Sequence, residues 1–308
     1  MQIDNRSQNP FELPYRAGMK NVLKNLRNPL KSISDYGWGN FLSREIIPTT
    51  LNPDKAQWAP NYFGHMIGEG MVYRKTIEWF EHHNYKHPTL FAIMIVTSSA
   101  LLNEVVENGN YQGVSVDPIA DLYIFEPLGI LLFGFDSVEE FFSKTLNMSY
   151  WPFQPVYNPN TEEIENVGHN VIYKYQLPFS ENVSMFYHYG VDGMLGLSYN
   201  IGGNRSVTVA KGLAIKDLVE TGTNNSARTL TGTFVQSAGL FYDKDNSLIV
   251  SLIITPTKRY RIRLNVFPGI LSYRKFSPGI FTAAGKDNDV IFGISIRLLP
   301  VGFGGVFS

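Results

Sequence analysis

Near residue 150 the hydrophobic period of this chain changes, and that change limits the folds open to it more than any other feature. From Asn61 to Met148 apolar residues recur at helical spacing, whereas from Asn170 onward they alternate, as in Asn170-Val-Ile-Tyr-Lys-Tyr-Gln-Leu177, Val183-Ser-Met-Phe-Tyr-His-Tyr189 and Leu195-Gly-Leu-Ser-Tyr199. Residues three and four apart share a face on a helix and residues two apart share one on a strand, so one segment cannot satisfy both patterns. The chain is therefore predicted to be α+β, with a helical module over 61–150 followed, over 168–308, by an antiparallel β-barrel-like or curled sheet of about eight strands. Further strands are expected at 206–213, 229–242, 247–255, 260–267 and 290–298, with a weaker one at 279–283. Asp243-Lys-Asp-Asn246 has the composition of a hairpin turn, the stretch 151–168 reads as a connector, and the Gly-rich end 302–308 reads as a flexible aromatic tail.

Upstream, six prolines within residues 1–60 leave room only for short helices, such as 17–26 and 33–41, and this part is expected to be an ordered arm wrapped on the rest. Four helices are drawn in the module, at 61–82, 88–107, 118–133 and 137–146, with Pro88 and Pro118 in first turns where the missing N–H costs nothing. Gly64 and Gly68 are expected to admit a neighbouring backbone, and Pro127 to kink the third helix.

Composition narrows the setting. Aromatic residues make up 14% and charged ones only 17%, so much of the wetted surface must be Tyr, Asn, Ser and Gly, a mixture suited to a sheet with one face on lipid or on another subunit. A formal net charge of −1 provides no field to gather nucleic acid, which is set aside as a partner. With no cysteine, disulfides and thiolate chemistry are excluded. The first residues carry no basic and apolar leader, and the expectation is a signal peptide already removed. The apolar runs at 90–102 and 119–135 are read as respectively too short and too interrupted by Asp121 and Glu126 to span a membrane as helices.

The helical module places ionisable groups among apolar neighbours: His65 and Glu69, Glu104 and Glu107, then Asp117, Asp121 and Glu126. His65 and Glu69 are four apart, Glu104 and Glu107 three apart, so two helices can present an imidazole and three carboxylates to one space. Such a group can act as acid and base or hold a divalent metal; equally, it can pair internally and lock the helices together. Asp117 is expected to cap the helix opened by Pro118, leaving Asp121 as the better candidate. On the strand Arg259-Tyr-Arg-Ile-Arg-Leu-Asn-Val-Phe267, Tyr260, Ile262, Leu264 and Val266 are expected on a dry face and the three arginines on a wet or acidic one, with the helical carboxylates as possible partners. No nucleophile elbow, phosphate loop, dinucleotide fingerprint or His-Glu-x-x-His motif occurs.

The stretches Asn61-Tyr-Phe-Gly-His-Met-Ile-Gly-Glu-Gly70, Leu102-Asn-Glu-Val-Val-Glu107 and Gly113-Val-Ser-Val-Asp-Pro-Ile-Ala-Asp-Leu122 resemble a family of uncharacterised bacterial envelope proteins with a VanZ-like helical module. That resemblance implies association with the outer membrane or periplasm, with outer-membrane lipid or envelope proteins as partners. The expected function is a structural or accessory envelope component. The alternative is a membrane-interface enzyme acting on lipid or glycolipid through His65, Glu69, Glu104, Glu107 and Asp121, with a divalent metal as a possible addition.

Overall fold

The computed structural model describes residues 9–47, 60–109, 113–190, 192–221, 229–257, 259–270, 277–285, 289–296, 299 and 301–307. The chain forms two compact units: a helical one, Leu13–Phe141 with Val219–Thr231, and a sheet unit made of the described parts of Met1–Glu12, Phe142–Leu218 and Gly232–Ser308.

In the helical unit, α1 (Tyr15–Arg27), α2 (Pro29–Tyr36) and α3 (Trp38–Phe41) come from the proline-rich region and belong to the unit's own core: Ile33 and Phe41 pack with Val116, Ile119, Ala120 and Phe125. α1 buries Gly18, Asn21, Val22 and Asn25, the three- and four-residue spacing of one helical face. The body is α4 (Glu69–His82), α5 (Pro88–Asn108), the short α6 (Asp117–Ala120), α7 (Glu126–Phe133) and α8 (Asp136–Glu140). α5 has 21 residues, and by length and composition alone it is long and apolar enough to cross a membrane, which the shorter run 90–102 did not suggest.

Two widened π-helical turns run directly into these helices, Asn61–Gly68 into α4 and Asp121–Phe125 into α7. The Glu69 N–H bonds the Gly64 carbonyl and the Glu126 N–H bonds the Asp121 carbonyl, each five residues back. Pro127 explains the second, since a proline lacks an N–H and crowds the preceding turn. The expected close approach at Gly64 is not made; its surroundings are open. Gly129 and Gly70 do that work, because a Cβ on Gly129 would lie 2.4 Å from the Met66 carbonyl oxygen and one on Gly70 would lie 2.5 Å from the Phe133 ring.

The sheet unit holds thirteen strands rather than about eight. β1 (Ser149–Tyr150), β2 (Val156–Asn158) and β3 (Glu163–Glu165) are short, and ten strands follow as an antiparallel meander: β4 (Val171–Gln176), β5 (Val183–Tyr189), β6 (Asp192–Gly202), β7 (Arg205–Thr221), β8 (Thr229–Lys244), β9 (Ser247–Ile254), β10 (Ile262–Val266), β11 (Pro278–Ala284), β12 (Val290–Ile296) and β13 (Gly302–Phe307). β8 and β9 are joined by the expected hairpin, with Asp245 and Asn246 both left-handed. The glycine-rich end is a strand and not a tail: β13 pairs antiparallel with β12 and parallel with β2, the one parallel ladder in an otherwise antiparallel sheet. Among the described residues no ladder joins the end strands β1 and β3, and the sheet is not closed. The connector 149–158 nevertheless touches both edges of the meander, because β1 pairs with β4 while β2 pairs with β13.

Strong curling follows from contacts across the sheet. Asp192 on β6 reaches Arg263 on β10 at 3.0 Å, and Lys174 on β4 reaches Asp243 on β8, although each pair is four strands apart and neighbouring strands are about 4.8 Å apart. Trp151 and Phe153 fill the inner side with Ile172, Phe186, Met194, Ala210, Phe241 and Ile253. Gln154 donates to the Val266 carbonyl and accepts from Ser295, so the connector lies along the inner face of β10 to β12.

Within β10 the polarity is the reverse of the expected one, with Arg263 and Asn265 buried and Ile262 exposed, whereas just before it Tyr260 is buried and Arg261 exposed as expected. Arg263 pairs with Asp192, and Arg259 with Glu163 and Glu165, inside their own unit. The same inversion runs across the sheet. Ser198, Thr208, Ser237, Asp243 and Ser251 are buried, while Leu195, Leu197, Tyr199, Val209, Leu213, Leu240, Ile254, Phe292 and Ile294 are exposed.

Candidate functional site

The helical unit brings His65, Glu69, Glu104 and Asp121 together. His65 and Glu69 stay on one face across the end of the first π-helical turn, with Nδ1 of His65 3.2 Å from Oε1 of Glu69. From the second π-helical turn, Oδ2 of Asp121 stands 3.3 Å from Nε2 of the same ring. The imidazole thus has a carboxylate at each nitrogen. Glu104 approaches from α5, and its carboxylate lies against that of Asp121. Both are deeply buried, at 0% and 2% exposure.

Glu107 is displaced from this centre. It is exposed, accepts from Asn103 at 3.1 Å, and groups with Glu104 and Asp117. Asp117 is not the expected cap: it lies in the first turn of α6, where the capping position is Val116 and makes no side-chain cap bond. Glu126 is buried one turn beyond Asp121, and burial raises its pKa against the Thr97 hydroxyl. His82, His83 and His87 lie apart on the surface, with His83 stacked on Trp79.

An amide relay that the sequence did not point to holds the carboxylates. Asn108 donates to the Glu104 carbonyl at 2.9 Å and more weakly to Oε2 at 3.5 Å. Asn21 on α1 donates to Asn108, and Asn25 donates back to the Asn21 carbonyl at 3.0 Å. Ser32 and the Ser115 N–H both donate to Oδ1 of Asn25. The approach of α1 to α5 that permits this depends on Gly18, where a Cβ would fall 2.0 Å from the Val105 carbonyl oxygen. A second buried carboxylate, Glu45, accepts from Asn61. The only sequence signal for the relay is the four-residue spacing of Asn21 and Asn25 on the face opposite Lys20, Lys24 and Arg27.

Electrostatically the site is overloaded with negative charge. Burial first, then the charges of Asp117 and Glu107, push the Glu104 carboxyl well above the usual range; for Asp121 the causes are burial, then Asp117 and Glu104. Burial likewise raises Glu45, with Asp117 adding to it, to about 8. For His65 burial lowers the pKa, but Glu69 and the more distant carboxylates more than reverse this and leave it raised. Chemically, an imidazole flanked by two carboxylates with a third against one of them can relay a proton or bind a cation.

Comparison with protein-family models, with curated proteins and with solved structures returns no match. The likeness to a VanZ-like module therefore rests on the three short stretches alone.

Proposed function

We propose that the protein is an outer-membrane component of the bacterial envelope, whose sheet unit sits with its exposed face in lipid. The observation that carries this reading is the polarity of the curled sheet: ion pairs and hydroxyls share the interior with the cluster around Trp151, while aliphatic and aromatic side chains stand outside on strand after strand. A sheet facing water has the opposite arrangement, because exposed apolar surface is unfavourable in water and buried charge is costly. In a bilayer the outward residues contact hydrocarbon, and the edge strands of the meander, β4 and β13, are met by β1 and β2. Tyr175, Tyr199, Phe303 and Phe307 on the exposed side suit the polar boundary of such a layer.

Leu197 and Val209 are paired across β6 and β7, and they are 57% and 63% exposed. Replacing either by Arg in the middle of a lipid-facing band costs about 2–4 kcal/mol. The expected result is that the unsubstituted chain fractionates with outer membranes and needs detergent for extraction, while Leu197→Arg with Val209→Arg accumulates outside them. A chain that purifies without detergent and becomes more soluble with these substitutions would remove the reading.

His65, held between Glu69 and Asp121, favours a second reading in which the helical unit performs acid–base chemistry on a lipid or glycolipid. Hydrolysis of lipid extracts by the purified chain, abolished in His65→Gln, is its test.

A further inference from the structure

We infer that the helical unit contains a site for one divalent cation, ligated by Nε2 of His65 and by the carboxylates of Glu104 and Asp121. These three present one ligand atom each within 4.8 Å of one another. The 3.3 Å between Nε2 and Oδ2 of Asp121 is the separation two ligands adopt at roughly 2.1 Å from a shared ion and about 105° apart.

What points to a ligand is the state of the carboxylates. Oε1 of Glu104 and Oδ1 of Asp121 are buried and accept no hydrogen bond, although each belongs to a side chain at most 2% exposed. An ionised carboxyl can only accept, so two of them in contact need a positive species between them. The neighbouring charges acting most strongly on both are themselves carboxylates, Asp117 and Glu107 among them, and the basic group placed against them among the described residues is His65. Protons, on the pair or on His65, or a metal ion resolve this.

The surroundings of His65 favour the metal. Glu69 stands 3.2 Å from Nδ1, on the far side of the ring from Asp121, so an ion on Nε2 would leave the ring proton at Nδ1 beside a carboxylate. With the proton there, Nε2 and the Asp121 oxygen each offer the ion a lone pair. The relay from Asn21 through Asn108 fixes the Glu104 backbone, as the supporting shell of a ligand would. One imidazole with two carboxylates suits manganese, iron or zinc better than calcium.

The inference concerns the helical unit alone and stands whether or not the sheet unit lies in lipid. The test uses the full chain in detergent, stripped with a chelator and titrated with Mn²⁺ at pH 7.5. Calorimetry is expected to give one ion per chain, and pulsed paramagnetic resonance of the bound ion is expected to show coupling to an imidazole nitrogen. That coupling should vanish in His65→Gln, and Asp121→Asn or Glu104→Gln should weaken binding at least about tenfold. Circular dichroism identifies any variant that fails to fold, and the nitrogen coupling is read on the unsubstituted chain and needs no variant. No stoichiometric binding would mean that the pair holds a proton instead. Binding without nitrogen coupling, or binding undiminished in folded Asp121→Asn, would place the ion elsewhere. Each of these results overturns the inference.

Discussion

Both units bury charge, and they neutralise it differently. Inside the sheet, Lys174 meets Asp243, Arg263 meets Asp192, and Arg259 meets Glu163 and Glu165, so each of these acids has a lysine or arginine partner. Inside the helical unit, Glu104 and Asp121 meet each other, with the His65 imidazole as the basic group beside them among the described residues. A matched pair is neutral as a whole, even where Oδ2 of Asp243 and Nε of Arg263 accept or donate no hydrogen bond, and it holds strands together; a like-charged pair is not neutral, and its energy depends on what is added. The contrast separates a scaffold from a site without reference to any motif.

The largest effect should come from breaking a matched pair. Lys174→Met leaves Asp243 buried and uncompensated, and it should destabilise the sheet unit by about 3–5 kcal/mol in denaturant unfolding; combining it with Asp243→Leu should recover most of the loss. The like-charged pair should respond in the opposite direction. In chelated protein at pH 8, Glu104→Gln relieves repulsion and should stabilise by about 1–3 kcal/mol. If both substitutions destabilise equally, the contrast fails.

A pH titration sharpens it. Glu45 has a folded pKa of about 8 against an ordinary 4.5, so between those values the folded chain retains a proton that the unfolded chain has released. Stability therefore falls as pH rises through that window, with a slope of up to about 1.4 kcal/mol per pH unit, and it levels off above the folded pKa. Glu45→Gln should flatten the curve of the melting temperature against pH. Gly129→Ala, which forces the second π-helical turn and α7 away from the first, should cost about 1–3 kcal/mol and should loosen Mn²⁺ as well as the fold. At the lower end, Asp136→Ala removes a surface partner of Arg74 and should change the melting temperature little, within about 0.5 kcal/mol.

Where a sequence segment repeats a period long enough, its structure was legible: Val183–Tyr189 is a strand over the whole of its alternating stretch, and α5 begins at Pro88 as its first-turn signal requires. β1, β2 and β3 were not legible, because ladders of two or three residues contain no period. β13 was hidden for another reason: Gly302, Gly304 and Gly305 have no side chains to alternate, yet at Gly304 a Cβ would fall 2.6 Å from the Phe292 carbonyl oxygen. On β10, alternation put Arg263 and Asn265 on one face and Ile262 on the other but could not say which face is buried, and it did not extend back to Arg261, which is exposed, and Tyr260, which is buried. The site divides the same way. His65 with Glu69 follows from four-residue spacing, whereas their meeting with Glu104 and Asp121 depends on how separate helices pack, and Asn21, Asn25 and Asn108 look like ordinary surface amides until their partners are known.

The bonding of residues 149–158 to both β4 and β13 has a consequence for assembly. The segment that receives β13 is made long before β13 itself, so this part of the sheet cannot be paired while the chain beyond β12 is still to be made. Until then β12 and β2 each present an unpaired edge, the kind of surface that recruits foreign strands. Closing so long a loop is also slow. A chain of this design should depend on a holding chaperone while it is made, and deleting Gly302–Phe307 should trap it in that vulnerable state.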